Sequence, residues 1–187
     1  EALDLLRRSG LDGLKIDVKG DETAYQNFCG SANADVPWRN ARAAKEMGIH
    51  VEIVNLVIRG VNDDVGTVAS VIDKHLKYLG PETPIHFTRY FPAYNFRAPA
   101  TDVARLEYAR ETARKAGVRY TYVGNVRGHT YENTFCPECG EALIVRDGSC
   151  IVSYKVTKDK RCPKCATKIP ITGMYVKKRR QPAWPFL

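Results

Sequence analysis

The sequence contains no long apolar run. A helix that crosses a membrane needs about 18 or more consecutive apolar residues, and no stretch of this chain approaches that length. The pattern of a secretory signal peptide is also missing. We therefore expect a cytoplasmic protein with no membrane partner.

The cysteines lack the spacing of a secreted disulfide framework. Four of the six form two Cys-x-x-Cys pairs, whereas Cys29 and Cys150 stand alone. In a chain with α/β patterning, such pairs favour metal binding over disulfides and indicate a reducing compartment. We interpret Cys150 as a small apolar residue of a hairpin and Cys29 as a buried or unreactive thiol.

Most of the chain also lacks a charge imbalance. Residues 1–134 hold 18 Lys/Arg against 17 Asp/Glu, whereas residues 135–187 hold 11 against 4. The net charge of +8 therefore belongs mainly to the C-terminal part. Such a part could bind an anionic partner, although a solvated charged surface is the more frequent explanation.

Segments typical of strands and helices alternate along the chain. The stretch GLKIDVKGD alternates apolar and charged residues, which predicts a strand, and HVEIVNLVIRG is a β-branched run typical of a strand buried on both faces. Two more strands are predicted at PIHFTRYFPAY and VRYTYVGNV, with helices between consecutive strands. Strands that helices connect run parallel, so the sequence predicts an open α/β sheet or part of a barrel.

Polar side chains occur where these predicted strands end. Asp17 and Lys19 lie at or near the end of the first strand, Asn55 lies within the second, and Arg89 lies on the third. The carboxyl ends of parallel strands meet at one edge of the sheet, where such folds bind ligands. We expect a ligand site there. The alternative for Asp17 and Lys19 is an isolated surface ion pair, which contributes only about 0–1 kcal/mol.

The most specific chemical motif is a repeated Cys-Pro-x-Cys, formed by Cys136/Cys139 and Cys162/Cys165 with 22 residues between the pairs. Four thiolates at this spacing predict a closed tetrahedral zinc site. Rubredoxin-like iron, an iron–sulfur cluster or disulfides are alternatives. The intervening ALIVRDGSCIVSYKV predicts a β-hairpin. About 40 residues cannot bury a sufficient core unaided, so metal binding and folding should be coupled.

These observations divide the sequence into three parts. We predict an α/β part at residues 1–133, a zinc-ribbon-like module at residues 134–173 and a basic tail at residues 174–187. The tail segment KKRRQPAWPFL joins a basic run to two aromatic residues. It favours a module that binds nucleic acid or protein, but a loosely docked tail is the simpler interpretation.

Four segments, in this order, resemble the C-terminal half of a radical SAM enzyme: GLDGLKIDVKGD, VEIVNLVIRGVNDD, PIHFTRYFPAY and YVGNVRGHTYENTFCPECG. They are most similar to the AmmeMemoRadiSam type, a relative of the pyruvate formate-lyase activating enzymes. The resemblance extends from Glu1 to about Gly173. It implies α/β architecture, with a parallel-stranded partial (βα) barrel fragment followed by a small zinc-ribbon-like β module. Because the chain begins inside a predicted helix, we expect it to be part of a longer protein.

The resemblance also implies cofactors. Such enzymes hold a [4Fe–4S] cluster on a Cys-x-x-x-Cys-x-x-Cys loop and cleave S-adenosylmethionine reductively to a 5′-deoxyadenosyl radical. An Asp-x-Lys pair of the fourth barrel strand helps to bind S-adenosylmethionine, and it maps onto Asp17 and Lys19, while Asn55 and Arg89 occupy pocket-like positions. The cluster loop does not occur in this sequence. We therefore expect this chain alone to be inactive and a longer parent to be the enzyme.

Partners follow from analogy and composition. By analogy with activating enzymes, a protein is one expected substrate class. The rival hypothesis is a non-catalytic zinc ribbon that binds nucleic acid or protein. A neutral α/β part and the lack of interleaved basic and aromatic residues on its strands argue against it. A half-barrel with an exposed edge is also expected to self-associate, because unpaired strands seek partners.

Overall fold

The computed structural model describes residues 1–30, 33–148 and 150–176. The basic run and both aromatic residues of the predicted tail, at residues 177–187, lie outside the described residues. Within the described ranges, no helix is both long and apolar enough to cross a membrane.

The main sheet has four parallel strands in the order β1-β2-β3-β4. They are β1 (Gly13–Val18), β2 (His50–Val57), β3 (Ile85–Arg89) and β4 (Thr121–Gly124). This sequential order is that of a barrel wall, whereas a doubly wound sheet reverses its strand order. The predicted parallel-stranded partial barrel is confirmed.

Five helices accompany the strands: α1 (Ala2–Arg8), α2 (Glu22–Cys29), α3 (Val36–Glu46), α4 (Val65–Leu79) and α5 (Val103–Lys115). The helix α4 begins at a true cap, because Asp64 Oδ1 accepts a hydrogen bond from the Thr67 backbone amide at 2.9 Å. Helices α3 and α5 contact the sheet, α4 packs against both of these helices, and side chains of all three helices join the main core. These three helices cover one face of the main sheet.

The main core lies between this face and the three helices. Ile53 and Phe87 of the sheet are fully buried against helical side chains that include Trp38, Ile72 and Leu106. The opposite face of β2 is only half-buried, since residues alternate between buried and partly exposed along the whole strand. The expectation that β2 is covered on both faces is therefore wrong, because the helices pack on one side only.

A second, antiparallel sheet contains β5 (Thr134–Phe135), β6 (Ala142–Asp147) and β7 (Cys150–Tyr154). The strands β6 and β7 form the predicted hairpin. Its small core contains Leu143, Ile144 and Ile169 together with Tyr120 from the segment before β4. Cys150 lies in the hairpin as the first residue of β7 and is exposed; Cys29 is exposed as well, so the expectation of a buried Cys29 is wrong.

Candidate metal centre and ligand-binding edge

Two turns with the same backbone pattern present the four cysteines to one point. The Gly140 amide donates to the Cys136 carbonyl at 3.0 Å, and the Ala166 amide donates to the Cys162 carbonyl at 2.9 Å. Gly140 and Ala166 both have left-handed backbone, with φ of 71° and 60°. The Cys-Pro-x-Cys sequences therefore fold into equivalent turns, although only one of them has the glycine that suits this conformation.

The four sulfur atoms fit a single metal ion. All four Sγ atoms lie within 4.8 Å of one another. The Sγ atoms of Cys136 and Cys165 are 3.5 Å apart, and those of Cys139 and Cys162 are 3.6 Å apart. Tetrahedral Zn–S bonds of ~2.3 Å place the sulfurs about 3.8 Å apart, whereas a disulfide needs about 2.05 Å. The predicted ligand set is brought together, and the disulfide alternative does not fit.

One thiol of this group contacts a neighbouring hydroxyl. The Thr167 hydroxyl lies 3.2 Å from Cys165 Sγ. Hydrogen bonds from the Thr167 hydroxyl and backbone lower the pKa of Cys165 to about 6. In contrast, burial raises the pKa of the Cys136 thiol, so the four thiols of the group are not equivalent.

The four-cysteine module contacts the sheet at the amino ends of the strands. Arg119 and Tyr120 directly precede β4; Arg119 pairs with Glu138, and Tyr120 enters the core of the module. In addition, the Tyr122 hydroxyl lies 3.1 Å from Thr134 Oγ1. The metal centre is therefore at the opposite edge of the sheet from the carboxyl ends of the strands.

The carboxyl edge carries the predicted Asp17–Lys19 pair. Lys19 Nζ lies 3.6 Å from Asp17 Oδ1, and the two side chains are 39% and 61% exposed, respectively. The register places Asp17 opposite Val54, on the face that the helices do not cover. The structure thus brings opposite charges together at this edge, open to solvent and not beneath the helices.

A buried asparagine that follows β2 fixes this edge. Asn62 Nδ2 donates to the carbonyls of Lys19 at 2.7 Å and Leu56 at 2.9 Å, and its Oδ1 accepts from the Ile58 amide at 2.7 Å. Gly20 has a φ of 133°, and a Cβ there would lie 3.2 Å from the Asn62 side chain. The ends of β1 and β2 are therefore held together by main-chain hydrogen bonds to one amide.

The other two predicted ligand residues lie elsewhere. Asn55 is 1% exposed on the helix-covered side, where its Nδ2 donates to the Val18 carbonyl at 2.9 Å. The Arg89 Nε donates to the Thr101 carbonyl at 2.8 Å, and its guanidinium lies 4.9 Å from the Phe91 ring centroid. The structure does not bring Asn55 to the Asp17–Lys19 pair, and a cofactor-binding role for Asn55 or Arg89 stays a prediction.

Sequence analysis missed a polar cluster on the open face. Glu52 lies between His50 at 3.2 Å and His86 at 2.9 Å, and the His86 ring stacks on Tyr122 with centroids 4.7 Å apart. Hydrogen bonds from His50 and His86 hold the pKa of Glu52 well below its ordinary value. The available indications were the titratable residues at positions 50 and 52 of β2 and at position 86 of β3.

Comparison with solved structures defines the class of fold. A domain of pyruvate-formate lyase-activating enzyme from Bacteroides vulgatus matches with a TM-score of 0.53 and 21% identity, covering 66% of this chain and 73% of that one. A radical SAM methyltransferase from Sphaerobacter thermophilus has a TM-score of 0.48 and 18% identity, covering 65% of this chain and 36% of that one. The chain therefore shares the α/β fold of the activating-enzyme domain from Bacteroides vulgatus.

The sequence is also similar to one particular protein. An uncharacterized protein of Methanocaldococcus jannaschii is 38% identical over 169 residues, which include 89% of this chain and 50% of the relative. The chain thus spans about half the length of the curated relative that it matches. No known protein-family profile matches the sequence.

Proposed function

We propose that this chain is the part of a radical SAM enzyme that helps to bind S-adenosylmethionine. The observation that supports this function is the Asp17–Lys19 pair at the carboxyl edge of a sheet with a radical SAM-like fold. Ligands of parallel α/β folds bind at that edge. The AmmeMemoRadiSam type and a protein substrate are part of the same proposal and rest on the sequence resemblance.

The charges of the pair suit this ligand. S-adenosylmethionine carries a carboxylate, an ammonium group and a sulfonium group, so it presents both signs of charge within a few bonds. The Asp17 carboxylate would attract a cationic group, and the Lys19 ammonium would attract the carboxylate. Bound S-adenosylmethionine supplies the precursor of a 5′-deoxyadenosyl radical. The role of this chain is to hold and orient it.

The residues of this chain do not fit the catalytic [4Fe–4S] cluster. Its only described group of three or more clustered metal-ligand side chains is the four-cysteine centre. That centre lies at the amino edge, away from Asp17, and its four thiols converge on one point. We therefore propose that it is a structural zinc site, which has no open coordination position. The catalytic cluster would come from residues beyond this chain, which alone would be inactive.

The proposal is tested by S-adenosylmethionine binding to the purified chain. Hydrogen exchange of the backbone around residues 17–20 is measured with and without S-adenosylmethionine, and affinity is measured by calorimetry. Binding should slow exchange there. Replacement of Asp17 by Asn or Lys19 by Gln should weaken binding about tenfold or more, because each removes a charge-assisted contact.

A matched control is available on the same strand. Lys15 lies on the same face as Asp17 but at the other end of β1, and it is exposed. Lys15→Gln should leave the affinity unchanged. If Asp17→Asn, Lys19→Gln and Lys15→Gln bind equally well, or if S-adenosylmethionine protects no residue near Lys19, the proposed site is wrong.

Two partner hypotheses remain predictions. Self-association through the edge of β1 would appear as a concentration-dependent dimer in sedimentation, and a monodisperse monomer would contradict it. Nucleic-acid binding by the basic C-terminal part would appear as an affinity that falls steeply with salt. Neither supports the proposed function, and neither is needed for it.

A further inference from the structure

A cavity of about 320 Å³ lies between the open face of the main sheet and the four-cysteine module. Small-molecule sites have volumes of about 300–1,000 Å³ and combine apolar walls with a few polar groups. This cavity has both kinds of lining. Its apolar wall contains Pro84, Ile144, Ile169, Pro170 and Ile171, and its polar lining contains His50, Glu52, Tyr122, Thr134 and Arg146.

Two charged side chains of this lining, Glu52 and Arg146, have no lysine, arginine or carboxylate partner of opposite charge within 4 Å among the described residues. Among the described residues, no lysine or arginine nitrogen lies within 4 Å of the Glu52 carboxylate, whose only ion-pair partners are His50 and His86. Likewise, no described carboxylate lies within 4 Å of the Arg146 guanidinium. Partly buried charges without a counter-ion are costly, so a protein retains them chiefly where a ligand uses them.

The hydrogen bonds around these groups leave room for a ligand. His50 and His86 hold the Glu52 carboxylate ionised and fix it on the sheet. Arg146 donates from one nitrogen, Nη1, to the Glu132 carbonyl at 2.9 Å and to Thr134 Oγ1 at 3.0 Å. Those bonds fix the guanidinium, whose central carbon also lies 6.0 Å from the Tyr122 ring centroid, while its other nitrogens have no side-chain hydrogen-bond partner among the described residues. A guanidinium with free donors binds a carboxylate in a planar, bidentate manner.

We propose that this cavity binds a small aliphatic amino acid as a zwitterion. The ligand ammonium pairs with Glu52, its carboxylate pairs with Arg146, and its side chain packs against the isoleucines at 144, 169 and 171. A ligand with only one charge would neutralise only one of the two groups. This site lies at the amino edge of the sheet and is independent of the proposed S-adenosylmethionine site at the carboxyl edge.

The test compares three probes of similar shape by calorimetry on the metal-loaded chain. L-Leucine carries both charges, 4-methylpentanoate carries only the carboxylate, and 3-methylbutylamine carries only the ammonium group. L-Leucine should bind at least about tenfold more tightly than either analogue, because each charged hydrogen bond lost costs a factor of this size. Equal affinities for the three probes, or no L-leucine binding up to about 10 mM, would overturn the proposal.

Substitutions at Glu52 and Arg146 test the contribution of each charge to ligand binding separately. Glu52→Gln and Arg146→Gln should each weaken L-leucine binding about tenfold, and Arg146→Lys should retain part of the affinity because it keeps the charge. Metal content and circular dichroism show whether each variant is folded. If Arg146→Gln misfolds, the L-leucine affinities of Glu52→Gln and Arg146→Lys decide whether the two charges bind the ligand.

The matched control is Arg161→Gln, since Arg161 lies in the same module but pairs with Asp159 at 3.2 Å outside the cavity. It should bind L-leucine normally, as should Asp17→Asn. If Glu52→Gln binds L-leucine as well as the Arg161→Gln control does, Glu52 is not the ammonium partner and the assignment is wrong.

Discussion

The main sheet and the four-cysteine module are stabilised in different ways. The sheet buries large side chains such as Trp38 and Phe87 against three helices, so its stability follows from apolar area removed from water. The module has a core of a few residues, and four thiols stand at its centre. The sheet therefore depends on apolar burial, whereas the module combines a small core with four converging thiols, and the two share an interface through Tyr120 and Tyr122.

The largest difference should come from Cys162→Ser, which removes one of the four ligands. The module should lose its metal and unfold while the sheet remains, because structural zinc contributes about 10–16 kcal/mol of apparent binding free energy in small domains. Metal content per chain and residue-resolved NMR measure both effects. Cys150→Ser is the matched control and should change neither. If Cys162→Ser kept its full metal content, the four cysteines would not be the metal ligands, and the proposed difference in stability between the sheet and the module would be wrong.

The sheet should instead be sensitive to acid through His75, which is fully buried on α4. Its Nε2 donates to the Thr83 carbonyl at 3.0 Å, and its buried Nδ1 has no partner among the described residues. Burial lowers the pKa of His75 from 6.5 to about 4. As the pH falls from 6.5 to about 4, the unfolded chain gains the proton before the folded one does, so the free energy of unfolding decreases.

The loss attributable to His75 should be on the order of 3 kcal/mol, complete near the lower pKa and absent above the upper one. Urea unfolding at a series of pH values, followed by a probe in the sheet, measures it. His75→Gln has no imidazole and serves as the control for the carboxylates that titrate in the same range. Parallel pH curves for the two proteins would show that His75 does not carry the dependence.

The interface between the regions should respond to Tyr122→Phe. This change removes the hydrogen bond between the Tyr122 hydroxyl and Thr134 but keeps the ring that stacks on His86. A neutral hydrogen bond contributes about 1 kcal/mol, so the module should dock less firmly by about that amount. Hydrogen exchange at residues 133–135 detects the change. Tyr108→Phe, on an exposed face of α5, should have no effect, and equal exchange in both variants would refute a coupling through this bond.

The smallest effect should come from Ala166→Gly within the module. Ala166 has the left-handed φ of 60° that its counterpart Gly140 adopts without a side chain. Relief of this strain, offset by the greater freedom of glycine in the unfolded chain, should stabilise the module by up to about 1 kcal/mol. Chelator titration of the metal-loaded module measures it, and Gly140→Ala should shift the result in the opposite direction. A destabilised Ala166→Gly would show that the two turns are not equivalent.

Periodicity and cysteine spacing were sufficient for the architecture of both regions. The alternation in GLKIDVKGD predicted β1, and the two Cys-Pro-x-Cys pairs predicted the sulfur group, because both patterns are local. The position of Asp17 and Lys19 at the carboxyl edge also followed from the direction of one strand. These expectations needed no knowledge of which strands are neighbours in space.

Expectations that depended on strand register or on packing were less successful. Asn55 differs from Asp17 in the face that it occupies, and a shift of one residue along a strand reverses this face. The grouping of Glu52 with His86 depends on the pairing of β2 with β3, and that of Tyr122 with Thr134 depends on how the module packs. Cys29 was expected to be buried or unreactive, yet it is exposed at the end of α2, because burial there depends on packing and not on local sequence.

The buried carboxamide of Asn62 has a practical use. Both of its amide hydrogens are directed at main-chain oxygens, and its oxygen accepts from a main-chain amide, so water reaches none of them. In a protein labelled with nitrogen-15, the two amide protons of such a group exchange with solvent more slowly than those of surface side chains. Asn62 is thus a built-in spectroscopic reporter beside Lys19, able to record occupancy of that edge without an attached dye.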